Sequence, residues 1–176
     1  TEGVETFAGD VADREALTEF FKGADVIIYA VTVFKGNPDS YPEGVKNTLA
    51  AAKVAGVKRI IFPNSYCTLT IDGEESKALF AAPPPFFAVI PRFKAGLALI
   101  REEEELDWLV ISGPASTPPY HELTGKYIVA EGDDMIIPDP KVGPMSSIIS
   151  MEDFANFILI QAENPQYHKT RITVCN

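Results

Sequence analysis

The chain has 176 residues, is 46% hydrophobic and carries a formal net charge of -10. That is enough apolar sequence for one globular domain, since a chain of about 150 residues already buries roughly 70% of its unfolded surface, and the acid excess argues against nucleic acid, whose binding rests on clustered Lys and Arg. No apolar run suits a membrane span, "TEGVETFAGD" has neither the basic residues nor the apolar stretch of a signal peptide, and Cys67, Cys175, His121 and His168 cannot supply zinc-ligand spacing, so a cytoplasmic chain with no membrane contact, no disulfide and no metal is expected.

In chain order, "VETF" (4–7) reads as a short strand. "DREALTEFFKG" follows as a helix with Leu17, Phe20 and Phe21 on one face, stopped by Gly23. "ADVIIYAVTV" is a continuous apolar, β-branched run, as expected of a strand covered on both sheet faces. "SYPEGVKNTLAAAKVAGVKRIIF" begins a helix near Pro42, ends it near Gly56 and passes at once into a strand over Arg59 to Phe62. The apolar run stops at Pro63 and gives way to Asn64, Ser65 and Tyr66. In a parallel α/β sheet the carboxyl ends of the strands line the ligand crevice, so polar side chains stationed there are candidates for chemistry.

After the Pro-rich "AAPPPFFAVIP", the segment Arg92 to Glu105 places Phe93, Leu97 and Ile100 at helical spacing. Arg101 and the run Glu102 to Glu105 read as the solvated end of that helix, with no catalytic role. "DWLVIS" is the next strand. Strands alternating with helices of this length argue for βαβ units, right-handed crossovers and a parallel sheet. The last third changes character: "GKYIVA" and "DMIIPD" are short strand-like runs, Ser150 with Asp153 signals the cap of the helix "MEDFANFILIQAE", and "TRITVCN" is a final strand. Residues 113–150 are expected to form the substrate side of an α/β enzyme.

The segments "FAGDVAD", "ADVIIYAV", "AAKVAGVKRIIF", "DWLVISGPA", "ELTGKYIVAEGDDMI" and "SIISMEDFANFIL" together resemble the atypical short-chain dehydrogenase/reductase group, specifically its NmrA-like NAD(P)H-binding members of the NADH-flavin reductase type. The resemblance implies a Rossmann-like three-layer α/β sandwich with a mostly parallel sheet, one NAD(P)-binding domain over residues 1–176, and NAD(P)(H) as cofactor. It also implies that Asp10 and Val11 contact the adenine ring and that the turn at Ala30 and Val31 passes along the adenosine half. Read from the residues alone, Asp10 either accepts from an exocyclic amine or caps the helix that follows. Such proteins begin with a strand, a glycine-rich turn and a helix, then a second strand, ahead of what corresponds to Thr1. No G-x-G-x-x-G occurs between a strand and a helix in the 176 residues, so those N-terminal strands are expected to be missing from the sheet. "VIIYAV" is then expected to keep an open edge that invites another strand or a second copy, a homodimer.

The wider group reduces carbonyls with a Ser, a Tyr and a Lys four residues after the Tyr. The resemblance places Lys94 on that Lys, where it would hold the nicotinamide ribose, and Ser65 on the Ser. Ile90 stands four residues before Lys94 and cannot donate a proton, leaving Tyr66 as the nearby phenol. Ser65, Tyr66 and Lys94 are therefore the candidate catalytic residues, set against turn bonding for Ser65, packing for Tyr66 and a solvated helix position for Lys94. Reducing a flavin or quinone needs an aimed hydride, whereas reducing a ketone usually needs a positioned acid, so the departure favours a flavin, quinone or similar small acceptor. Tyr120 and His121, in the loop after "DWLVIS", are candidates for the substrate side, or plain surface-turn residues. Two alternatives stay open: a non-catalytic dinucleotide-binding redox sensor, and a truncated chain that binds no cofactor.

Overall fold

Apolar residues two apart along a strand face the same way, and here that alternation sorts the side chains into two cores. The computed structural model describes residues 3–32, 40–74, 87, 89–119 and 121–176. The elements in chain order are α1 (Arg14–Phe20), β1 (Val26–Ile28), α2 (Ser40–Ala55), β2 (Arg59–Asn64), α3 (Ile90–Arg101), β3 (Asp107–Ser112), β4 (Ile128–Glu131), α4 (Met151–Glu163) and β5 (Thr170–Cys175). They build a sheet in the order β1-β2-β3-β5-β4. β1, β2, β3 and β5 run parallel and β4 is antiparallel on β5. Ile27, Ile60, Phe62, Trp108 and Val110 face a core built with α1, α2 and α3. Ile61, Leu109, Ile111, Ile172 and Val174 face the other, with Phe157 and Ile158 of α4. This is the three-layer Rossmann-like α/β sandwich, with a mostly parallel sheet.

The local chemistry sets the element ends. Asp13 caps α1, its carboxylate accepting the Ala16 N–H at 3.0 Å, and Gly23 turns the chain at φ +80°. α2 and α3 approach so closely that a Cβ on Gly96 would lie 2.6 Å from the buried Tyr41 ring. Ser150 caps α4 by accepting the Asp153 N–H at 3.0 Å. At the amino ends of β2 and β3, buried Arg59 donates to the carbonyls of Gln161 and Tyr167 and meets Asp107 at 2.5 Å. One cation thus ties two strands, α4 and the loop that follows α4.

Several expectations are corrected. Residues 4–7 form no strand; they pair with nothing among the described residues, and Val4 and Phe7 are exposed. Phe20 also lies outside the core, stacked on Phe7 with ring centroids 5.0 Å apart. Residues 134–139 are irregular apart from a single bridge between Thr70 and Asp134. α3 begins at Ile90 with proline in its first turn and ends at Arg101, not at Glu105. Its acidic continuation is not simply a solvated end. Glu103 turns inward, accepts the Glu105 and Leu106 N–H groups, and pairs with Lys53 at 3.0 Å. Burial raises its pKa, but those hydrogen bonds and Lys53 outweigh that and hold it below the usual value.

β2 continues through Pro63 to Asn64, beyond the predicted stop, and its proline explains why β1 is so short. Tyr29 still donates to the Ile61 carbonyl at 2.8 Å. In a parallel ladder the N–H of residue 63 would answer on the Tyr29 carbonyl, and proline has none. The β1–β2 ladder therefore ends there, and the strands part at the carboxyl edge of the sheet.

Candidate functional site

The first of the candidate catalytic residues follow directly on β2 at this carboxyl edge. Asn64 Oδ1 accepts the Ser65 N–H at 2.6 Å, and its buried Nδ2 has no partner among the described residues. Ser65 caps a short 3-10 turn over Tyr66–Thr68, its Oγ accepting the Cys67 N–H at 3.2 Å. Tyr66 is half-buried against Cys67 and Ile90. Burial, and then the neighbouring Cys67 thiol, push its phenol well above the usual tyrosine range. Such a phenol holds its proton at neutral pH, the reverse of an activated acid. Ile90 is the first residue of α3 and is buried beside the turn. Lys94 follows one helical turn later on the same face and is half-buried. The structure thus brings Ser65, Tyr66 and the α3 face carrying Ile90 and Lys94 to one region.

A second set gathers at the end of β1. Asp10, Val11, Ala30 and Val31 line one pocket of about 220 Å³, together with Phe7, Leu17, Phe20, Ile28, Tyr29 and Thr48. The cap of α1 is Asp13, so the capping reading of Asp10 is corrected; Asp10 Oδ1 instead accepts the Ala12 N–H at 2.9 Å and tightens its own turn. Asn47 of α2 steadies that turn from outside, donating to the carbonyls of Val11 at 3.2 Å and Ala12 at 3.1 Å. Gly44 permits the approach, because a Cβ there would meet the Tyr29 hydroxyl at 2.5 Å and Val11 at 2.9 Å. Tyr29 and Thr48 are buried, and their hydroxyls have no partner among the described residues. Burial raises the Tyr29 pKa to about 12, so it can only donate or accept as a neutral hydroxyl. Buried orphan hydroxyls in an apolar pocket fit a ring with polar edges.

His121 is elsewhere, exposed on a groove of about 450 Å³ beside Thr124, Ile148, Ser150, Asp153 and Asn176. Tyr120 lies outside the described residues. The groove is organised by Asp153, whose carboxylate accepts Thr124 N–H at 3.0 Å, Gly125 N–H at 2.8 Å, the Thr124 hydroxyl at 2.7 Å and Asn176 Nδ2 at 3.1 Å. Burial opposes its charge, yet the hydrogen bonds prevail and its pKa falls below the ordinary 3.8. Among the described residues there is no group of three or more metal-ligating side chains, and no helix long and apolar enough to cross a membrane.

Sequence reasoning missed Asn47, the clamping role of Asp153, and Arg171, a buried cation on β5. The signal for Arg171 was present as a lone charge inside the apolar run "TRITVC". Asn47 gave none, since a polar residue on a helix is ordinary.

Among the solved structures that resemble the fold are three bacterial proteins. One, from Burkholderia pseudomallei and described as exported, is 23% identical, with a TM-score of 0.84 over 98% of this chain and 82% of that one. A Bacteroides thetaiotaomicron protein provisionally described as an epimerase is 27% identical, with a TM-score of 0.81 over 98% and 79% of the two chains. The third, from Streptococcus pneumoniae TIGR4 and provisionally described as an NADH-flavin reductase, is 22% identical, with a TM-score of 0.78 over 100% and 82%. No curated protein matches the sequence. The family described as NAD(P)H-binding matches residues 1–165. With that match spanning nearly all of the chain, and with a fold of the Rossmann type, the protein belongs to the NAD(P)H-binding family.

Proposed function

We propose that this NAD(P)H-binding, oxidoreductase-like protein passes hydride from NAD(P)H to a flavin, quinone or similar small acceptor. The observation that carries the reading is Ile90, buried at the start of α3 against Tyr66 and Cys67, one turn before Lys94. A ketone needs a proton delivered to the nascent alkoxide; a flavin or quinone takes its proton from water. Neither Ile90 nor Tyr66, with its raised pKa, supplies an activated acid.

Asp10, Val11, Ala30 and Val31 would hold the adenosine half, with the Tyr29 and Thr48 hydroxyls as hydrogen-bond partners inside the pocket. At about 220 Å³ that pocket suits one ring system rather than a whole dinucleotide, since drug-sized ligands take roughly 300–1,000 Å³. The bound cofactor supplies the hydride. Lys94 would hold the nicotinamide ribose, and Ser65 would orient the acceptor through its hydroxyl.

The test is NADPH oxidation with FMN, with menadione and with a simple ketone. Turnover of flavin or quinone, with the ketone slower by about 100-fold or more, the usual worth of a positioned acid, is the expected result. Ketone reduction at a comparable rate contradicts it. NADPH binding without oxidation of any acceptor selects a dinucleotide-binding sensor instead, and no binding at all selects a chain without cofactor function.

A further inference from the structure

Beneath the crevice floor lies a guanidinium that neither the cofactor pocket nor the acceptor site uses. Arg171 stands opposite Val110 in the β3–β5 register. Its neighbours Ile172 and Val174 point to the α4 core, so its own side chain lies on the opposite face, where it is 3% exposed. Nε donates to Ser112 Oγ at 3.0 Å, Nη1 to the Thr68 carbonyl and to Asp133, each at 3.0 Å, and Nη2 to Thr68 Oγ1 at 2.6 Å. Thr68 ends the turn that Ser65 caps, and its hydroxyl in turn donates to the Ser65 carbonyl at 3.0 Å. Asp133 also binds Arg101, at the end of the helix that carries Lys94.

Burying a guanidinium is costly, and hydrophobic filling of the same space is often as stable or more so. A fork of fixed geometry does what filling cannot: it holds several acceptors at set distances and angles. We propose that Arg171 is a positioning residue, fixing Ser65 and Tyr66 relative to Lys94 by joining their turn, through Thr68, to α3, through Asp133 and Arg101. It acts through Thr68 and not on any reactant. Its consequence for turnover rests on the hydride-transfer reading above; the positioning itself does not.

The experiment is amide hydrogen exchange on the full chain, comparing wild type with Arg171→Lys and Thr68→Val, alongside NADPH–FMN kinetics. Lysine keeps the charge but loses the fork, and valine keeps the shape of threonine but loses the hydroxyl. In both variants the amides of Thr68 and Leu69, which close the turn on Ser65 and Tyr66, should exchange about tenfold faster or more, as expected for loss of a charge-assisted hydrogen bond. The amides of Leu109 to Ile111, which report global stability, should be accelerated less than those of Thr68 and Leu69. In turnover, kcat should fall while KM for NADPH holds. Exchange that is unchanged at Thr68 and Leu69, or accelerated equally in β3, overturns the proposal. So does a loss confined to KM. Should wild type show no turnover, the hydride-transfer reading fails, and the exchange data alone decide the role of Arg171.

Discussion

At the β5 flank of the sheet, Arg171 makes four hydrogen bonds, β4 pairs along the whole of its length, and the 65–68 turn and the 133–134 loop are tied to α3 by two arginines on one aspartate. The β1 flank is built differently. β1 is three residues long, is bonded on one side only among the described residues, and leaves Ile28 and Val31 each 38% exposed beside the stacked Phe7 and Phe20. Directional bonds fix the end where the reacting groups would stand. Non-directional apolar contact lines the end where an adenine ring would lie, with the orphan hydroxyls of Tyr29 and Thr48 as its polar marks. The contrast predicts high local stability in the crevice floor and low local stability at the cofactor rim.

Substitutions can break or sharpen that contrast. The largest effect is expected from Arg59→Ala at the anchored side, where removal strands two carbonyls and leaves the Asp107 carboxylate with His168 alone among the described residues; denaturant unfolding should show a loss of about 3–5 kcal/mol. Gly96→Ala drives a methyl into the Tyr41 ring and should cost about 1–3 kcal/mol by the same measurement, since the buried ring has little room to move. Asp153→Asn should cost about 1–2 kcal/mol at neutral pH. Its effect carries a pH signature. The folded pKa of Asp153 lies below the ordinary 3.8, so the carboxylate stabilises fully above that ordinary value and its contribution is lost as pH falls through the folded one. Wild type and variant should therefore converge in stability in acid. Convergence at alkaline pH would contradict the assignment. At the other flank, Ile28→Thr should change stability by less than about 1 kcal/mol, because the side chain is already part-exposed; a larger loss would mean that the β1 edge is anchored after all.

Much of the architecture was legible in the sequence because apolar runs of β-branched residues separated by amphipathic helices leave few topologies. β1, β2 and β3 fall on "VII", "RIIFPN" and "DWLVIS", and Ser150 caps α4 as its spacing indicates. "VETF" misled because β-branched and aromatic residues mark a strand only where a partner strand supplies the ladder. Pro63 was readable as a stop, but its consequence needed the register: the missing N–H ends the ladder of the neighbouring strand, not its own. At the site, Asp10, Val11, Ala30 and Val31, which line one pocket, were singled out only through the family resemblance, whereas the contacts of Arg171 and Asp153 were not foreseen. Their partners lie 103 and 29 residues away along the chain, and no local pattern encodes such contacts.

The central claim is that the apolar, weakly braced rim at the end of β1 is where the cofactor binds, and amide hydrogen exchange of the full chain with and without saturating NADPH tests it most directly. The account predicts protection on binding at residues 10–12 and 29–32, with little change at the already fixed amides of Thr68 and Leu69. Saturable NADPH binding that leaves residues 10–12 and 29–32 unprotected, or no saturable binding at all, would contradict it.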